Sequence, residues 1–263
     1  MDQTERRHWL IDYLLQEGKD RLDVRGIDQF WESEEGERQL LRALLNVRPP
    51  EPAAEEFYRF QDAYLQEELR RMGITDPAGL QEMEPGIKLW QGDITTLASE
   101  AIVNAANEFM LGCFIPNHRC IDNAIHTYAG VQLREECARL MKEQGHPEAT
   151  GKAKITPGYN LPAANVLHTV GPIVTDQVTG LDRQQLENSY RSCLDLAWEN
   201  GVRQVAFCCI STGEFHFPNV LAAQIAVDTV RKWRQDHPEM EVIFNVFKDE
   251  DYVIYSSILG AGA

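Results

Sequence analysis

From Ile87 onward the chain alternates short apolar runs with longer amphipathic segments, and this pattern restricts the fold more than any other feature. Residues 87–91, 101–104, 165–170, 205–210 and 241–247 are apolar runs of strand length. Residues 122–142, 186–200 and 220–236, lying between them, repeat apolar side chains at helical spacing. Strands joined through helices form a sheet covered on both faces, so the expected class is α/β.

The preceding stretch is different. Trp9, Ile11, Leu14 and Leu15 recur at helical spacing, as do Phe30, Leu40, Leu41, Leu44 and Leu45. Pro49, Pro50 and Pro52 then interrupt. Phe57, Phe60, Tyr64, Leu65, Leu69 and Met72 mark a third helix that ends near Gly73. Residues 1–86 are therefore expected to form a helical extension packed on the domain of residues 87–263. A separate partner-docking module is the alternative. Residues 260–263 are expected to fray.

Charge narrows the partners. Lys and Arg total 25 against 41 Asp and Glu, a formal charge of −16. Such a field repels nucleic-acid backbones and anionic membranes, so neither is an expected partner. A small phosphorylated ligand stays open, because loop amides and helix N-termini bind phosphate without help from net charge. Residues 1–15 lack a signal-like apolar core, and no stretch approaches the roughly 20 apolar residues of a membrane span, which points to the cytoplasm. There the six cysteines, 113, 120, 137, 193, 208 and 209, are expected as thiols or metal ligands rather than disulfides.

Ligands of open α/β sheets bind where strands end, and three such loops carry unusual residues. In the first, Gly92 permits a tight bend, and Asp93 either accepts from an exocyclic amine or caps the next turn. The second holds Cys113, His118 and Cys120 within eight residues, just before a helix with Asp122 in its first turn. Two thiolates and an imidazole suit Zn2+, and three protein ligands leave open the fourth position of a catalytic site. The alternatives are chance clustering, or a structural site closed by Cys137, Cys208 or Cys209. In the third, Ser211, Thr212, Gly213 and Glu214 offer hydroxyls and amides to a diphosphate, and Phe215 a face for a ribose or base; an ordinary turn is the plainer account.

Taken together, six stretches resemble the macrodomain family in order, over roughly residues 87–259. They are Gly92-Asp93-Ile94, residues 102–107 (IVNAAN), residues 122–126 (DNAIH), residues 151–159 (GKAKITPGY), residues 168–172 (HTVGP) and Ile210-Ser211-Thr212-Gly213. Where most macrodomain hydrolases carry a glycine run, this chain has residues 112–120, which is similar to the zinc-containing subclass with a helical N-terminal extension. The resemblance implies a three-layer α/β/α mixed sheet and removal of mono-ADP-ribose from proteins. It also implies a substrate class that includes lipoyl-carrier proteins modified by a sirtuin-like transferase. It places Asp93 and the Ile94 backbone at the adenine, and Asn107 at the distal ribose. Cys113, His118 and Cys120 would hold zinc beside that ribose, Ile121 and Asp122 border ribose and diphosphate, and residues 211–215 wrap the diphosphate. Asp122, with Asn107, is the expected catalytic element, Asp122 acting as general base or water-positioning group, with Glu214 a second candidate. Two other functions fit the same residues: an ADP-ribose reader without turnover, and hydrolysis of a small ADP-ribose ester.

Overall fold

The computed structural model describes residues 1–23 and 25–260. Three helices come first: α1 (Gln3–Glu17), α2 (Glu34–Val47) and α3 (Glu55–Met72). Asp2 and Glu5 form a capping box at the start of α1, and Ser33 accepts from the Gly36 amide at the start of α2. Their apolar stripes meet in a separate small core that includes Leu10, Ile11, Leu14, Leu41, Leu44, Leu45, Phe57 and Leu65. The fully buried Arg7 is paired there with Glu37 at 2.6 Å.

The remaining elements are β1 (Glu82–Glu84), β2 (Ile87–Gln91), β3 (Ala101–Ala106), α4 (Ile121–Ala129), α5 (Val131–Gln144), β4 (Ala153–Pro157), β5 (Asn165–Val170), α6 (Gly180–Glu199), β6 (Gln204–Phe207), α7 (Asn219–Arg234), β7 (Glu241–Val246) and α8 (Asp249–Gly260). The seven strands form one sheet ordered β1-β2-β7-β6-β3-β5-β4. Its five inner strands are parallel, and β1 and β4 pair antiparallel at the two edges. Helices α6, α7 and α8 pack side by side against one face, α4 and α5 cover the other, and α2 packs on α4 from outside. This is the expected three-layer mixed α/β sheet.

Several boundaries differ from the sequence expectation. The helix expected over 122–142 is broken at Gly130, whose φ of 93° ends α4 and starts α5 in a new direction. The strand expected over 205–210 stops at Phe207, so Cys208, Cys209 and Ile210 already belong to the loop beyond it. Strands β1 and β4 and helix α8 had no counterpart in the expected pattern. Because β1 precedes residue 87, pairing of the sheet begins within the segment read as helical extension. Gly260 closes α8, and residues 261–263 of the expected frayed tail lie outside the described residues. Among the described residues no helix is long and apolar enough to cross a membrane.

Candidate active site

Parallel strands end along one edge of the sheet, and the three loops singled out from sequence all leave from that edge. Gly92 is pinned to β7 by its amide on the Val246 carbonyl and by its own carbonyl accepting from Asn245 at 2.9 Å. Asp93 follows. Its Oδ1 accepts from the Thr95 amide at 2.9 Å and the Thr95 hydroxyl at 2.7 Å, so it does cap the short turn Ile94–Thr96. Its Oδ2 bonds to no described residue. The Ile94 side chain is in the core, which leaves only its backbone for contacts.

Asn104, Asn107 and Asp122 come together under the second loop. Asp122, in the first turn of α4, is 5% exposed. Its Oδ1 accepts from Asn104 Nδ2 at 2.8 Å, and Asn107 Nδ2 stands 3.5 Å from its Oδ2. Asn104 Nδ2 also lies 3.1 Å from His168 Nδ1, and His168 Nε2 lies 3.0 Å from the Thr156 hydroxyl. The ring thus accepts at Nδ1 and donates at Nε2. Burial pushes the Asp122 carboxyl up to about 6, against the opposing pull of the Asn104 amide and the Arg134 charge. His126 Nε2 is 3.5 Å from Asp122 Oδ1, but burial, with Arg134 and His168 adding, holds this imidazole well below its usual range. It therefore faces Asp122 as a neutral ring. Gly112, at φ 81°, lies flat on that ring, since a Cβ there would sit 2.8 Å from its Cγ.

Cys113, His118 and Cys120 converge as well. One ligand atom from each lies within 4.8 Å of the other two. Cys120 is the N-cap of α4, its sulfur accepting from the Asn123 amide at 3.4 Å. Burial, with the Cys113 thiol and Asp122 nearby, pushes the Cys120 thiol up to about 12 despite that amide. Two close, half-buried thiols disfavour each other's ionisation, and a cation between them favours the thiolates. His118 Nδ1 is buried without a hydrogen-bond partner among the described residues, as befits a ligand atom. The donor set fits zinc. Cys137, weighed as a fourth ligand, clusters instead with His126 and His168 in the core, and Cys208 and Cys209 belong to no such cluster among the described residues. None of the six cysteines is in a disulfide.

The third loop closes over this group. Ser211 adopts a left-handed φ of 66°, and its buried hydroxyl has no hydrogen-bond partner among the described residues. Gly171 makes room for it, because a Cβ at 171 would come within 2.0 Å of Ser211 Oγ. Thr212 bonds back to the Cys209 carbonyl, and the Phe215 carbonyl is held by the Val174 amide at 2.9 Å. The amides of Gly213, Glu214 and Phe215 donate to no acceptor among the described residues, and successive N–H groups of this kind can bind an anion. Glu214 Oε1 reaches to 3.6 Å from His118 Nε2, which joins this loop to the cysteine–histidine trio. The carboxylate touching the trio is therefore Glu214, while Asp122 faces the asparagine pair.

Two groups of residues escaped the sequence reading. Asn104, His126 and His168 lay within the quoted motifs but had no role there; they support Asp122 from beneath. Arg42 and Asn46 of α2, with Arg134 of α5, reach the 111–118 loop from outside. The only sequence signal was their position, one residue after Leu41, Leu45 and Leu133, along the edge of each apolar stripe.

Comparison with known proteins bears on this geometry. The family model described as "Macro domain" matches residues 103–226. A protein-ADP-ribose hydrolase from Treponema medium is 52% identical, covering 98% of this chain and all of its own length. A protein-ADP-ribose hydrolase from Staphylococcus aureus (strain MSSA476) is 48% identical over 86% of this chain and 85% of its own. Among solved structures, the Trypanosoma brucei macrodomain in complex with ADP-ribose is 30% identical with a TM-score of 0.65, covering 83% of this chain and 95% of that one. With the family model, the curated relatives and the structural match in agreement, the chain belongs to the macrodomain family.

Proposed function

We propose that this protein is a zinc-dependent hydrolase that removes mono-ADP-ribose from modified proteins. The observation that carries the reading is the meeting of Cys113, His118 and Cys120 with Asp122, Asn107 and the open amides of residues 213–215 on one edge of the sheet. The names of the Treponema and Staphylococcus relatives agree with it. When bound by three protein donors, zinc supplies Lewis acidity at an open coordination position. The chain's own groups do the rest. Oδ2 of Asp93 takes the adenine amine, and the amides of residues 213–215, with the Ser211 hydroxyl, hold the diphosphate. Asn107 orients the distal ribose. Water adds at the anomeric carbon as the bond to the modified side chain breaks. Asp122, its carboxyl pushed up to about 6 by burial and held by Asn104, accepts a proton from that water and passes it on to the departing side chain, so that free ADP-ribose and the unmodified side chain result.

A test is release of ADP-ribose from a modified protein, with and without a chelator. A lipoyl-carrier protein modified by a sirtuin-like transferase is the first substrate to try. Release that stops on chelation and returns with added zinc is expected. Zinc-loaded protein that binds ADP-ribose but releases none from any modified protein is instead a reader. Release only from small ADP-ribose esters would move the substrate from protein to metabolite.

A further inference from the structure

We propose that α2 of the N-terminal helices is a working part of the metal centre, with Arg42 and Asn46 as positioning residues that hold its loop in ligating geometry. The proposal rests on the reading above that zinc sits among Cys113, His118 and Cys120.

Within the loop itself there is little to fix a shape. Between residues 111 and 119 its backbone makes a single internal hydrogen bond among the described residues, from the His118 amide to the Ile115 carbonyl at 3.2 Å. Asn117 adopts a left-handed φ of 55°. A segment of that kind loses much conformational freedom when three of its residues must meet one ion. What orders it comes from outside. Arg42 Nη2 donates to the His118 carbonyl at 3.2 Å and to Asn123 Oδ1 at 2.8 Å. Asn123 in turn donates to the Ile115 carbonyl at 3.1 Å. Asn46, 1% exposed, accepts from the Asn117 amide at 3.0 Å and donates to the Thr127 hydroxyl on α4, also at 3.0 Å. Arg134 ties the Leu111 carbonyl at 2.7 Å to the Leu45 carbonyl at the end of α2 at 3.1 Å.

Four of these bonds land on residues 111–118, the stretch that contains or adjoins the proposed ligands, and one of the four lands on the backbone of His118, a ligand itself. Helix α2 also bonds to α4, whose N-cap is Cys120. It thereby sets the distance between the two cysteines from both sides. Groups that orient ligands from behind typically contribute about 10- to 100-fold in metal affinity.

The experiment compares wild type, Arg42→Ala, Arg42→Lys and Asn46→Ser in the full chain, each loaded with one zinc per chain. Zinc affinity is read by competition with a chromophoric chelator, and coordination geometry by the visible spectrum of the cobalt-substituted protein. Arg42→Ala and Asn46→Ser should each weaken zinc binding about 10- to 100-fold and alter the cobalt spectrum. Arg42→Lys, which keeps the charge and one donor, should recover part of the loss. Arg59→Ala on the exposed side of α3 should leave both unchanged. Circular dichroism of the metal-free proteins separates lost fold from lost geometry, and Asn46→Ser, small and neutral, guards against a misfolded arginine variant. Wild-type zinc affinity in both Arg42→Ala and Asn46→Ser overturns the proposal while leaving the metal reading intact. A wild-type chain that binds no zinc overturns the metal reading, and this proposal with it.

Discussion

Replacing Asp122 by Asn is the most informative single change. The side chain keeps its volume, and its remaining oxygen can still accept from Asn104 Nδ2, which now stands 2.8 Å from Oδ1. The new amide nitrogen then points toward Asn107 Nδ2, 3.5 Å from the present Oδ2, donor against donor. One weak contact is lost, but so is the burden of a buried carboxyl already pushed up to about 6. The net effect on stability should be within about 1–2 kcal/mol. Zinc should remain, since Asp122 contributes no atom to the ligand trio. Turnover is another matter. Loss of a general base costs about 10²–10⁴ in rate, which corresponds to roughly 3–5 kcal/mol of barrier. Release of ADP-ribose from modified protein should fall by that factor, while calorimetry shows less than about a tenfold change in ADP-ribose affinity. If Asp122→Asn, with its zinc intact, turns over within about fivefold of wild type, Asp122 is not the base. Glu214, against His118, would then be the carboxylate to change next.

Other consequences are equally open to measurement. Cys120→Ser should lose zinc as read by elemental analysis, because a three-donor site has no spare protein ligand to replace the thiolate. Asp93→Ala should weaken ADP-ribose binding by about 10- to 100-fold and leave zinc in place; unchanged affinity would put the adenine elsewhere. Acid should destabilise the metal-free fold between about pH 6.5 and 4. There the unfolded chain protonates both His126 and His168, which burial holds neutral, the latter down to about 3, whereas the folded chain gains only the Asp122 proton. Of these three groups the two imidazoles outweigh the one carboxyl, so the unfolded state binds more protons and stability falls as pH drops. Urea midpoints that stay flat from pH 6.5 to 5 would contradict this.

The parallel core of the sheet was legible because its strands are continuous apolar runs, a consequence of burial on both faces. Its edges were not. Strand β1 is Glu-Met-Glu, and β4 carries Lys154 and ends on Pro157, compositions that edges tolerate and interiors do not. Helix α8 hid because Tyr252, Val253, Ile254 and Tyr255 read as a strand-like run after three acids. At the site, Asp93, the cysteine–histidine trio, Asp122 just after it and the 211–215 loop stood out by residue type and spacing, whereas Asn107 was singled out only by the resemblance to macrodomains. Nothing local marked Asn46, whose role depends on Asn117 and Thr127, 71 and 81 residues away. Such pairings exist only once the chain has folded, and periodicity carries no trace of them.

Two glycines described above bind distant motifs into single units. Gly112 is bare so that His126 can lie beneath it, and Gly171 is bare so that the Ser211 hydroxyl can occupy the space a methyl would take. For anyone redesigning this cleft, the loops cannot be exchanged one at a time. A transplanted 211–215 loop must bring a host in which position 171 has no side chain. A new sequence for the 112–120 loop must likewise either keep glycine at its first position or shrink the ring under it. In each case the two positions have to be varied as a pair. A library that adds a side chain at either glycine while keeping the group it faces will recover clashes, whatever chemistry it was built to find.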